Sequence, residues 1–224
     1  MQSALIVGAG AGLSASLARL FAKHGLSVTL AARDTGKLGA LCSETGAKAI
    51  TTDATQPEDV ARLFDAIVAP DIVVYNASAR ARGPFVELDP AAVASAIAIS
   101  AYGGFLVAQQ AVKRMLPRGA GVILFTGASA SVKGYAQSAP FAMGKFALRG
   151  LAQSMAREFS PQGIHVAHFV IDGGIRSAVR TVPTDKPDSL LDPDDIAETY
   201  WHVANQKRSA WTWEVELRPW VERF

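Results

Sequence analysis

Seven short apolar runs punctuate the chain: ALIV (4–7), SVTL (27–30), KAITT (48–52), DIVVY (71–75), GVILF (121–125), HVAHFV (165–170) and WTWEVEL (211–217). Each has the length of a strand, and between them the apolar positions change to helical spacing. Leu13, Leu17, Leu20 and Phe21 predict a first helix that Gly25 ends. Val60, Leu63, Phe64 and Ile67 form a second stripe behind a Thr55 to Glu58 capping box, and Asp192, Pro193 and Asp195 open a late helix carrying Ile196, Tyr200 and Val203. Strands apolar on both faces and alternating with helices imply an α/β fold with a doubly wound parallel sheet and right-handed crossovers. With no linker or repeat in the chain, residues 1–224 read as a single domain.

Composition narrows the function classes. With 224 residues and 50% hydrophobic content, the chain can bury a sizeable core. A net charge of +2, from 22 basic and 20 acidic residues without blocks of like charge, leaves no footprint for nucleic acid. The expected partner is a small molecule. A single Cys42 excludes an internal disulfide and fits a reducing cytoplasm, where it reads as inert packing. Strand-like residues start at Ala4, without a basic leader, so no signal peptide is expected. His24, His165, His168 and His202 lack ligand spacing, and strand alternation puts His165 and His168 on opposite faces, so no metal is expected.

Residues 90–112 carry no charge and are long enough to raise the question of a membrane span. Alanine, serine and glycine dominate there, and Asp89 before Pro90 is the start of a soluble helix, an N-cap acceptor followed by proline at N1. The expectation is a buried helix, not a membrane span, whose small residues let a second helix approach closely.

The strand ALIV runs into GAGAGLSASLARLF, which places Gly8, Gly10 and Gly12 in the turn between the first strand and the first helix. Glycine there lets backbone amides approach a pyrophosphate, whose charge the helix N-terminus favours. The spacing of Gly8 and Gly12, followed by Leu13 and Ser14, resembles the glycine motif of the short-chain dehydrogenase/reductase family, and the likeness extends along nearly the whole chain. The resemblance implies a Rossmann fold and a nicotinamide cofactor. Ser14 stands where the family has its last glycine; its hydroxyl is expected to reach a phosphate. In the family an acidic side chain after the second strand holds the adenosine ribose, and here Ala32 is followed by Arg33. A guanidinium, with no carboxylate at the family's acidic position to repel a 2′-phosphate, favours NADP(H) over NAD(H), with Lys37 as an auxiliary. Asp53 resembles the family aspartate facing the adenine amino group, and Asn76 and Ala77 resemble its Asn-Ala-Gly motif, with Ser78 in place of glycine.

At the reacting end the resemblance departs from the family. The family donates a proton from a tyrosine, lowers that tyrosine's pKa with a lysine, fixes the carbonyl with a serine and links the lysine to solvent through an asparagine. Of these only Lys145 is kept; Phe141, Ala128 and Ser100 occupy the tyrosine, serine and asparagine positions. The Phe-for-Tyr pattern resembles an atypical subgroup of the family. A positioned general acid is worth roughly 10²–10⁴ in rate and an oxyanion donor about 10²–10³, so other groups must substitute if the chain is an enzyme. Asp172, in place of the family proline before Gly173, is the first candidate, followed by Ser129, Tyr102, Tyr135 and Ser138. Gly173, Gly174 and Ile175 align with the backbone that orders the nicotinamide, and Lys145 with the group that holds its ribose.

Arg80, Arg82, Lys133, Arg176 and Arg180 surround the expected substrate mouth and suit an anionic ligand. Trp211, Trp213, Val215 and Leu217 alternate on one face of a final edge strand. The family resemblance implies a homodimer or homotetramer. Three readings of function follow: an NADP(H)-dependent oxidoreductase with a rearranged proton path, a silent dinucleotide-binding sensor or scaffold, and a non-redox lyase or isomerase on the same fold.

Overall fold

The computed structural model describes residues 2–222. All seven apolar runs contribute strands, in the order β1 (Ser3–Val7), β2 (Ser27–Ala32), β3 (Lys48–Thr51), β4 (Ile72–Tyr75), β5 (Gly121–Thr126), β6 (Ile164–Ile171) and, at the end, β9 (Glu214–Leu217). The intervening helices are α1 (Leu13–Lys23), α2 (Gly39–Thr45), α3 (Pro57–Asp65), α4 (Pro90–Ile97), α5 (Gly103–Met115), α6 (Ala139–Phe159) and α7 (Pro193–Ala204). The sheet runs β3-β2-β1-β4-β5-β6-β9 with every pair parallel, which is the doubly wound Rossmann arrangement.

Both sheet faces are covered, as the unbroken apolar strands require. Leu17, Phe21 and Tyr200 from α1 and α7 pack on one face; Phe64, Val107 and Leu148 from α3, α5 and α6 pack on the other. A fully buried leucine such as Leu17 or Leu148 contributes about 2–5 kcal/mol against truncation to alanine. Gly25 ends α1 as expected: its φ of +80° closes a Schellman turn in which Leu26 N donates to Phe21 O and Gly25 N to Ala22 O. Asp89 caps α4 through Ala91 N and Ala92 N, and Asp192 caps α7 through Asp194 N.

Three local expectations are corrected. Pro57 takes the first position of α3 and Gln56 its N-cap, so Thr55 and Glu58 form no capping box; Thr55 instead donates to Asp53. The strand in the tail is only Glu214–Leu217, and Trp211 and Trp213 precede it, Trp211 stacking on His165. The helix at 90–112 is not uniformly buried. It belongs to a helical run, Pro90–Arg118, long and apolar enough to cross a membrane by length and composition alone, and only 39% of its apolar window lies inside the chain.

That run is interrupted by a π-helical turn, Ala98–Tyr102, which joins α4 to α5. A second feature unannounced by the sequence is a small parallel pair, β7 (Gly174–Ile175) with β8 (Leu190–Leu191), which closes the loop after β6.

Candidate active site

The strand order reverses between β1 and β4, and the cleft opens at their carboxyl ends. Gly8 makes the close approach possible. At its φ of +82° a Cβ would stand 2.3 Å from Ala77 N, and its own amide and that of Ala9 both donate to Ala31 O, at 2.9 and 3.0 Å. Gly10 and Gly12, by contrast, have no atom within 4 Å of where a Cβ would point. Gly12 caps the start of α1 without a side-chain acceptor. Leu13 is buried against the core behind it.

Ser14 differs from expectation. It is buried, its hydroxyl donates to Gly8 O at 3.2 Å, and it accepts from Asn76 Nδ2 at 2.7 Å. The hydroxyl is thus taken up inside the protein, tying the glycine turn to the end of β4, and is not presented to a phosphate.

A cleft of about 360 Å³ gathers Gly8, Ala32, Arg33, Lys37, Asp53, Asn76 and Ala77. Asp53 accepts from Thr55 N at 2.9 Å and from the Thr55 hydroxyl at 2.7 Å; these hydrogen bonds, with Arg33 nearby, hold its carboxyl below the usual range despite partial burial. Arg33 is exposed and, among the described residues, has no ion-pair partner, whereas Lys37 pairs with Asp34 at 3.3 Å. A larger cavity of about 670 Å³, lined by Leu191, Ile196, Leu217 and Trp220, holds neither the glycine turn nor any tetrad position, so size alone does not mark the site.

At the other end of the cleft, α6 carries Phe141 and Lys145 one turn apart, both buried. Lys145 Nζ donates to Thr126 O at 2.7 Å, and burial, with Arg80 adding repulsion, pushes its pKa down to about 7. Between them Gly144 lets α6 press on the π turn, since a Cβ there would stand 2.7 Å from Ser100 Cβ. Ser100 is itself buried, and its hydroxyl accepts from Ala79 N at 3.4 Å. Ala128 follows β5, and its amide donates to the hydroxyl of Ser131 at 3.1 Å. Ser129 is half-buried and begins a short turn in which its carbonyl accepts from Val132 N and Lys133 N.

Asp172 is neither a turn cap nor a free acid. It is buried, and its carboxylate pairs with Lys133 Nζ at 3.0 Å. Gly173, at φ +154°, packs under Pro219 and Leu191, and Ile175 lies in β7. Tyr102 and Tyr135 are exposed, Tyr102 stacking on Phe105, while Ser138 is buried at the start of α6 without a capping bond.

Several contacts around this end escaped sequence reasoning. Arg80 lies over the Phe141 ring, 4.4 Å from its centroid. Tyr200 donates to Thr126 Oγ1 at 2.9 Å, so Thr126 joins the helix face of α7 to Lys145. Beneath Ala128 runs a buried chain: Ala128 N donates to Ser131 Oγ, Ser131 meets His168 Nε2 at 3.3 Å, and His168 Nδ1 meets Glu214 at 3.1 Å. Burial pushes His168 down to about 4 in spite of Glu214, so the ring is neutral near pH 7. Its Nδ1–H then donates to Glu214 and its Nε2 accepts from Ser131. Arg149 completes the chain with two bonds to Glu214, at 2.6 and 2.7 Å. A histidine inside an otherwise apolar strand was the one visible sign of this network; His165, on the opposite face as alternation predicted, instead meets Thr212 O at 2.8 Å.

Residues 2–186 match the short chain dehydrogenase family. Short chain aldehyde dehydrogenase 1 of Euphorbia lathyris is 30% identical over 73% of this chain, which spans 60% of that protein's length. Cis-4-hydroxycyclohexanecarboxylate dehydrogenase of Sinomonas cyclohexanicum is 29% identical over 92% of this chain and 90% of its own. The crystal structure of a short-chain dehydrogenase from Rhodopseudomonas palustris superposes with a TM-score of 0.85 at 32% identity, covering 98% of this chain and 99% of that one. With the sheet order, the glycine turn at the switch point and the lysine on α6 all in place, the chain belongs to the short-chain dehydrogenase family of NAD(P)-dependent oxidoreductases.

Proposed function

We propose that the chain is an NADP(H)-dependent oxidoreductase acting on a small molecule, with the reacting end of the family site rebuilt. The residues present fit a dinucleotide: a Cβ at Gly8 would close the turn on Ala77, and there is free space where side chains on Gly10 and Gly12 would stand. When bound, the cofactor supplies hydride chemistry. The chain's own part is to hold it. The first-turn amides of α1, including those of Leu13 and Ser14, receive the pyrophosphate, Asp53 and Asn76 flank the adenine side, and Gly173 and Ile175 offer backbone to the nicotinamide. Lys145 is the one tetrad position still able to hold a proton, at Nζ, with a pKa near neutrality.

The observation that carries NADP(H) over NAD(H) is Arg33. It lines the cleft beside Ala32, exposed and without an ion-pair partner among the described residues; of the carboxylates lining the same cleft, Asp34 pairs with Lys37 and Asp53 accepts from Thr55, so a 2′-phosphate meets an uncommitted guanidinium. The test is a fluorescence titration with NADPH and NADH on the parent chain and on Arg33→Gln. A charge-assisted contact is worth about 1.5–3 kcal/mol, so NADPH should bind at least about tenfold more tightly than NADH, and Arg33→Gln should erase the difference by weakening NADPH alone. Equal affinities in the parent would refute the preference, and no binding of either would refute the function.

The specific departures at Phe141, Ala128 and Ser100 favour one second reading, a dinucleotide-binding sensor or scaffold without turnover. Tight NADPH binding with no oxidation across a carbonyl panel supports it. In either case the exposed apolar side chains Phe105, Met143 and Phe146 of α5 and α6 support a homodimer or homotetramer, and the single Cys42 supports a reducing cytoplasm as the setting.

A further inference from the structure

Of the five cations around the reacting end, two are neutralised within the chain: Lys133 by Asp172 and Arg176 by Asp192. Arg80, Arg82 and Arg180 have no ion-pair partner among the described residues, and they are not dispersed. Arg80 lies over Phe141, its Cζ 4.4 Å from the ring centroid, and Lys145 Nζ lies 5.9 Å from the same centroid. Arg180 reaches back over the loop after β6, with its Nη1 3.2 Å from where a Cβ on Gly174 would stand. Partial burial lowers the pKa of Arg80, and the charges of Arg82 and Arg180 add to it. Arg80, Arg82 and Arg180 are exposed and keep their donors free of any carboxylate among the described residues, so an anion from solution can engage them.

We propose that Arg80, flanked by Arg82 and Arg180, is the oxoanion-binding group of the substrate site and holds the substrate's carboxylate or phosphate at the free edge of its guanidinium, beside the Phe141 ring. This inference rests on the reading of the reacting end as the substrate end of the cofactor cleft. Phe141 suits such a role: an aromatic face orients the guanidinium plane by cation–π contact and leaves its edge donors free for the bidentate geometry that oxoanions accept. A tyrosine hydroxyl at that position would introduce a competing acceptor. The loss of the tyrosine and the presence of Arg80 are then one change, from a site that recognises a carbonyl oxygen to one that first recognises charge.

The test is calorimetric titration of the full chain, with and without NADP⁺, using three probes of similar size: phenylglyoxylate, its methyl ester and phenyl phosphate. Binding of either anion about tenfold or more tightly than the ester, in either cofactor state, is the expected result, and the two anions between them distinguish carboxylate from phosphate. Arg80→Gln should abolish the preference and Arg80→Lys should restore only part of it, because a lysine keeps the charge and loses the fork. Thermal unfolding and the NADPH titration of each variant establish that it is folded. No binding of either anion, equal binding of anions and ester, or an anion preference that survives in Arg80→Gln would each overturn the proposal. Loss of NADPH binding in the parent would strike the proposed function instead, and the cofactor-free titration reads the oxoanion site independently of it.

Discussion

At the β1–β4 end of the cleft the fold leaves room and an uncommitted cation: nothing stands within 4 Å of where a Cβ on Gly10 or Gly12 would be, and Arg33 has no ion-pair partner among the described residues. At the β5–β6 end the corresponding groups are satisfied from within. Lys145 bonds Thr126 O, Asp172 pairs with Lys133, and Ser131 is held between Ala128 N and His168. Groups that the fold leaves uncommitted are the ones a ligand can engage. The nucleotide end keeps the room and the cation that suit a ligand in the family's manner, while the reacting end offers a ligand chiefly the exposed guanidiniums of Arg80, Arg82 and Arg180.

The largest expected effect breaks the nucleotide end. Gly8→Val puts a branched side chain at a φ of +82° with its Cβ 2.3 Å from Ala77 N. Backbone strain and the clash together should cost about 3 kcal/mol or more, read as a fall in the urea midpoint, and NADPH binding should disappear. Unaltered binding would show that the close approach of the turn to β4 is dispensable.

A smaller effect, of opposite sign, sharpens the reacting end. Lys145 has its pKa lowered from 10.5 to about 7 by burial, with Arg80 adding to it. Below about pH 7 the amine is protonated in folded and unfolded chains alike, and the folded state carries the whole penalty of a buried ammonium. Between about 7 and 10.5 the unfolded chain binds the proton and the folded chain does not, so stability from this group rises with pH and the penalty fades toward 10.5. Lys145→Met should therefore be more stable than the parent by about 2–4 kcal/mol near pH 6.5, after allowance for the lost bond to Thr126, and the advantage should shrink by about pH 9.5. Urea unfolding at the two pH values checks this. A variant destabilised at both would show that the lysine stabilises the fold instead of being kept at the fold's expense.

The architecture was legible because strand period, helix period and glycine position are local properties. Each of the seven runs supplied a strand, Gly25 closed α1, and the cleft assembled Gly8, Arg33, Asp53 and Asn76 as the motif order implied. The capping box at Thr55 failed for an equally local reason, since Pro57 and Gln56 compete for the start of α3 and Pro57 already fixes its first position. The pair β7–β8, two residues per strand, is too short to leave a period, and the π turn has the same composition as the helices beside it. The satisfaction of side chains was hidden most completely. Lys133 and Asp172 are 39 residues apart, and Ser131, His168 and Glu214 come from three segments that only the sheet brings together.

The central claim is that the cofactor geometry is intact and that the family's proton path was lost through particular side chains. The most direct measurement is single-turnover oxidation of NADPH by neutral aldehydes and ketones in the parent and in the double variant Phe141→Tyr with Ala128→Ser. The predicted result is a rate roughly 10²–10⁴ above the parent's, the worth of a positioned general acid, with NADPH affinity unchanged. A double variant that binds NADPH as the parent does and stays at the parent's rate would contradict the claim.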